Sequence, residues 1–112
     1  NKSEIAFVKE LHPDIPTYTE VYDAFGLLRK GKTIMAHAIH LSDREKELLK
    51  EKQATLCHCA QSNADLSSGV MPVRRNLEFG LDCVIASDLA GSHTPAMNRH
   101  LAMCIEVSKL HA

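Results

Sequence analysis

A chain of 112 residues with 13 Lys and Arg against 14 Asp and Glu has a formal net charge of −1, which gives no electrostatic case for nucleic acid or an anionic membrane as partner. Hydrophobic residues make up 45% and charged residues 24%, an ordinary globular balance for one domain at most that buries roughly 65% of its unfolded surface. No apolar run approaches the ~18 residues of a membrane span, and no signal peptide opens the sequence, whose first residue, Asn1, reads as a processed or truncated start.

Periodicity and punctuation predict alternating helices and strands. Residues 3–11 (SEIAFVKEL) set Ile5, Val8 and Leu11 at helical spacing behind a Ser3 cap. HPDIP breaks the chain, and TYTEVYDAFG reads as a short helix closed by Gly26. The first strand is predicted over 32–40 (KTIMAHAIH). Ser42 and Glu45 then have the spacing of a capping box, opening a helix through KELLKEK. A second strand follows over 54–60 (ATLCHCA), and QSNADLSSG reads as a polar loop. Residues 72–80 form a third connecting helix, with Pro72 at its start and Gly80 at its end. The third strand is 81–88 (LDCVIASD), and Thr94 and Pro95 launch a last helix that runs to about Lys109.

Strands alternating with helices of this length imply βαβ units and a parallel sheet. His37, His58 and Asp88 each fall at or near the C-terminal end of one predicted strand. Parallel strands end on a common edge, so the three side chains gather on the rim where α/β folds bind ligands. His40, offset by three from His37, is expected on the opposite strand face and outside that group. Three strands with their helices use the whole chain, whereas an eight-stranded barrel needs about 250 residues. Two readings remain open at this level: a small α/β domain, or a piece of a barrel.

The cysteines show no C-x-x-C pair. Cys57 and Cys59 flank His58, yet structural zinc sites space their ligands more widely and add a second pair. On a strand, both thiols also point away from the imidazole. Cys83 and Cys104 have apolar neighbours and read as small buried residues in a reducing compartment.

In order along the chain, MAHAIHLSD, HCAQSN, LSSG and ASDLAG resemble the closing third of the amidohydrolase superfamily barrel, and within it the guanine deaminases. YTEVYDAFGLL also resembles the segment that precedes the first of these motifs. The resemblance implies an α/β fold that is the C-terminal portion, about three βα units, of a (β/α)8 TIM-type barrel, with residues 1–112 an incomplete barrel segment and no second domain. It implies a cytoplasmic hydrolase that takes a purine base, guanine, to xanthine and ammonia, with one Zn2+ per subunit and a homodimeric whole protein. Related readings are a deaminase of thioether nucleosides, a triazine chlorohydrolase, or a non-catalytic module that pairs through its strand edges.

Residue by residue, His37 matches the histidine that faces the attacking water and the substrate, so it is both catalytic and substrate-binding. Asp88 matches the aspartate that ligates the metal and carries the water's proton. His58 matches a histidine that is not a ligand, and Asn63 is expected to brace its loop. The family's H-x-H and H-x-x-E motifs, which supply three further ligands and an acid–base glutamate, are absent from this sequence, and the chain is expected to begin just after the second. Ala60 replaces the proline of the family's H-C-P motif and should loosen the turn, and Gln61 also departs from the pattern. The chemistry suits these residue types. A metal makes hydroxide available near neutral pH, an aspartate holds the proton, and a histidine hydrogen-bonds the attacking oxygen.

Overall fold

The computed structural model describes residues 2–111. Two helices, α1 (Lys2–Leu11) and α2 (Tyr18–Ala24), lead into β1 (Ile34–Ala36). Then follow α3 (Asp43–Glu51), β2 (Thr55–His58), α4 (Ala60–Asp65), α5 (Val73–Phe79), β3 (Asp82–Ile85) and α6 (Met97–Ser108), which ends in a 3-10 turn over Lys109–His111. The strands pair in sequential order β1-β2-β3, all parallel, with Ile34 opposite Thr55 and Thr55 opposite Asp82.

That register places Met35, Leu56 and Cys83 on one face of the sheet, continued by His58 and Ile85. Parallel crossovers are right-handed, so strands laid down in one direction put their helices on one side. Packing agrees. Leu49 of α3, with Leu28, Ala54, Leu56, Met71 and Leu81, forms the main core, flanked by Tyr22 of α2 and Val73 and Phe79 of α5. A second cluster joins Ala60 of α4 to Cys104 and Val107 of α6, beside Ile85. On the other face the outer strands are bare: Ile34 is 68% and Val84 44% exposed.

Capping chemistry sets the entry to α3 as its sequence predicts. The Ser42 hydroxyl accepts from the Glu45 amide, and Glu45 Oε2 accepts from the Ser42 amide at 2.9 Å and its hydroxyl at 2.7 Å. Glu45 has a second role invisible in the local pattern. Its Oε1 accepts from the Thr19 amide at 3.2 Å and hydroxyl at 2.8 Å, fastening α2 to α3. Burial raises the Glu45 carboxyl, but the bonds from Ser42 and Thr19 outweigh it and hold the group below its ordinary value of 4.5. Glu45→Ala should therefore cost about 3 kcal/mol, because it strands several donors that bond to a charge. The carboxylate's contribution is full above pH 4.5 and is lost as pH falls through the lower folded value. Thermal unfolding of the full-length wild type and Glu45→Gln across that range checks this, since the variant should lose the share of the acid dependence that Glu45 contributes.

Several predicted elements differ, among them the third strand, which ends at Ile85 rather than at Asp88. The first strand ends at Ala36 rather than at residue 40, because His37 (φ 68°) and Ala38 (φ 45°) turn the chain into the left-handed region. His40 is consequently not on a strand face at all; it lies in an exposed loop with Nε2 3.0 Å from the Ser68 carbonyl. The supposed polar loop contains α4, whose Ala60, Ser62 and Asn63 are buried. Ala60 is its first helical residue, where the family's proline would also fit. Finally, α6 begins at Met97, two residues past Pro95. Thr94 still serves its entry: its hydroxyl accepts from the Ala96 amide, and its carbonyl accepts from His100 Nε2 at 2.7 Å.

Candidate active site

The C-terminal ends of β1, β2 and β3 lie on one edge, and the chain treats them differently. After β1 the His37 amide still donates to the Cys57 carbonyl at 2.9 Å, so the ladder continues one residue past the strand. The left-handed turn at 37–38 then throws the imidazole off the sheet, 42% exposed at its side chain. Past β3, Asp88 is also left-handed (φ 51°), and its carbonyl accepts from the amides of Gly91 and Ser92 at 2.8 and 2.9 Å. The Ser92 hydroxyl locks the same turn by donating to the Ser87 carbonyl at 2.6 Å. Ala90 adds a further positive φ of 73°. Non-glycine residues held in this region store strain, and such strain concentrates where a site must be shaped.

These two turns bring His37 Nε2 to 3.8 Å from Asp88 Oδ2. The separation is too long for a hydrogen bond. It is the right scale for a group held between the two. The other ring nitrogen, Nδ1, lies 2.8 Å from Asn63 Oδ1, and Asn63 is only 2% exposed on α4. Gly91 makes room for the aspartate: a Cβ there would stand 2.5 Å from Asp88 Oδ2 and 3.1 Å from Ser62 Oγ. Asn63, Ser62 and Gly91 are thus part of the same locality.

His58, the third expected rim residue, is placed apart from this pair. It is the last residue of β2, points to the helix side, is 1% exposed, and has no partner for either ring nitrogen among the described residues. Burial depresses its pKa below 6.5, which favours the uncharged ring. Cys57 and Cys59 form no metal loop with it. Burial, with Cys57 beside it, pushes the Cys59 thiol up to about 11. Among the described residues no cluster of three His, Cys, Asp or Glu side chains could hold a metal ion. The donor chemistry fits a metal in one respect only, as Asp88 presents a carboxylate oxygen at the rim beside a histidine.

The structure is thus an α/β segment whose parallel sheet carries a His–Asp pair on left-handed turns beyond its C-terminal strand ends. All of residues 1–112 match the model of the amidohydrolase family, and the chain belongs to that family. It is 42% identical over 111 residues to the guanine deaminase of Dictyostelium discoideum, covering 99% of this chain and 24% of that protein. The crystal structure of guanine deaminase from C. acetobutylicum with bound guanine in the active site superposes with a TM-score of 0.94 at 44% identity, over 99% of this chain and 26% of that one. The E. coli guanine deaminase structure gives a TM-score of 0.93 at 31% identity over the same shares. The chain spans about a quarter of the length of the relatives it matches.

Proposed function

We propose that the whole protein to which this segment belongs is a metal-dependent guanine deaminase that hydrolyses guanine to xanthine and ammonia, with residues 1–112 as about three βα units from the C-terminal part of a (β/α)8 barrel. The observation that carries the reading is the likeness, over 99% of the chain, to a deaminase crystallised with guanine. The sheet supports the barrel. Strands in sequential order, with helices on one face and an opposite face uncovered on its outer strands, suit a closing cylinder, whereas a doubly wound sheet covers both faces.

Within this reading Asp88 is both a catalytic group and a metal ligand, and His37 is both catalytic and substrate-binding. The segment offers one ligand, so the other ligands of a zinc site lie elsewhere in the whole protein. When bound, Zn2+, one per subunit, supplies hydroxide near neutral pH. Asp88 Oδ2 takes the proton of the attacking water and later delivers it toward the departing nitrogen. His37 Nε2 hydrogen-bonds the attacking oxygen from the opposite side of the 3.8 Å gap and so orients it toward the purine carbon that bears the amino group. The remaining features follow the family: a cytoplasmic homodimer acting on a free purine base, with no nucleic acid or membrane partner. The four free cysteines suit a reducing compartment.

Release of xanthine and ammonia from guanine by the full-length protein tests the reading, with thioether nucleosides and chlorinated triazines assayed alongside. Preference for either of those over guanine would overturn the substrate. Gly91→Ala provides an internal check on the geometry. The new methyl group must displace the Asp88 carboxylate, the movable partner, so turnover should fall on the order of 10²-fold with little change in melting temperature. Unchanged turnover in Gly91→Ala would mean that the carboxylate's position is not critical.

A further inference from the structure

We propose that Asn63 is a positioning residue that fixes the tautomer of His37, holding the ring proton on Nδ1 so that the Nε2 lone pair faces Asp88. The inference rests on the proposed deaminase reading for its consequence, but on geometry for its content. Asn63 Oδ1 lies 2.8 Å from His37 Nδ1, and an amide oxygen only accepts, so the histidine nitrogen carries the hydrogen. The hydrogen bond made by one ring nitrogen decides the state of the other.

The asparagine is well placed to impose this. It is 2% exposed, its amide donates to the Cys59 carbonyl at 2.9 Å, and its carbonyl accepts from Ser68 at 2.8 Å. Its Oδ1 is therefore presented from a fixed piece of α4. The backbone that carries the imidazole is held too, by its left-handed conformation at residue 37 and by the hydrogen bond that the His37 amide donates to the Cys57 carbonyl. The opposite tautomer would aim Nε2–H at Asp88 Oδ2, but 3.8 Å is too far for that bond. With the proton on Nδ1, two acceptors face each other across the gap. A water donating to both would span it and present its oxygen lone pairs to an electrophile. A residue that an ordinary reading assigns to loop bracing thus sets which end of His37 does the chemistry.

The test uses the full-length zinc-loaded protein labelled with 15N-histidine, with the His37 signals assigned by their loss in His37→Gln. Nitrogen NMR should find Nδ1 protonated and Nε2 bare in the wild type. Asn63→Ala should abolish that preference, whereas Asn63→Asp, which keeps an oxygen at the same place, should retain it. Guanine turnover adds a second readout. Asn63→Ala should lower kcat on the order of 10–100-fold with KM nearly unchanged, and Asn63→Asp should recover most of the loss. In a His37→Ala background, Asn63→Ala should cost nothing further, although a merely structural asparagine would cost the same in both backgrounds. A wild-type ring protonated on Nε2 overturns the proposal without any variant having to fold, and so does an unchanged tautomer in Asn63→Ala. The spectrum is independent of substrate: a protein that ignores guanine yet shows the Nδ1–H form sinks the deaminase reading and leaves this one standing.

Discussion

Asp88→Asn in the full-length protein should abolish guanine turnover even where zinc remains bound. The amide preserves the size of the side chain and one coordinating oxygen, but it cannot receive the water's proton. General acid–base groups contribute a factor of about 10²–10⁴, and any weakening of metal binding adds to that loss. The turn at residue 88 should survive the change, because its bonds to Gly91 and Ser92 come from the backbone carbonyl and asparagine tolerates the left-handed region. His37→Ala should also cut turnover sharply, since the attacking oxygen loses its partner across the 3.8 Å gap. His40→Ala should cost much less, because that ring lies in an exposed loop against the Ser68 carbonyl. Deamination rates with zinc content measured on the same samples decide the matter. Near-normal rates in metal-loaded Asp88→Asn would make this aspartate a structural turn residue.

Much of this architecture can be read directly from the residues. The order of strands and major helices, their parallel arrangement, the Ser42–Glu45 box and the placement of His37 and Asp88 at strand ends all follow from local patterns that the fold preserves. Gly80 closes α5 with φ 94°, as a glycine after a helix does. What escapes is tertiary in origin. KTIMAHAIH is apolar enough to suggest a strand to residue 40, but the left-handed turn at 37–38 ends it at Ala36 and aims the imidazole. Histidine enters the left-handed region more readily than most residues, but alanine does not, and nothing local announces two such residues in succession. QSNADLSSG looks like solvent-facing loop because it is polar, yet Ser62 and Asn63 are buried, and Asn63 turns its polar group toward His37. Polarity predicts exposure only where no buried partner waits. The link from Glu45 to Thr19, 26 residues away, is hidden for the same reason.

Expressed alone, the 112-residue chain should self-associate rather than behave as an ordinary stable monomer. β1 and β3 each pair on one side only, so each presents a row of unpaired backbone donors and acceptors. These are edges on which another copy can add a strand. The sheet face away from the helices compounds the problem, with Ile34 68% and Val84 44% exposed. Further apolar side chains are uncovered on α6, where Met97, Leu101 and Ile105 are 46–52% exposed at successive turns of one stripe. Against this, the buried apolar residues that cluster among the described residues form two small groups, one of six and one of three. A domain of this size normally keeps about 5–15 kcal/mol of net stability from a single continuous core, and apolar area left in water contributes nothing to it. Light scattering with size-exclusion chromatography should find oligomers or aggregates that grow with concentration. Hydrogen exchange should show weak protection in β1 and β3 and the strongest in β2, the one strand paired on both sides. A chain that stays monomeric and unfolds in one cooperative step with ordinary stability would show that the bare face and open edges are tolerated, and the case for a missing remainder of the barrel would lose its physical support.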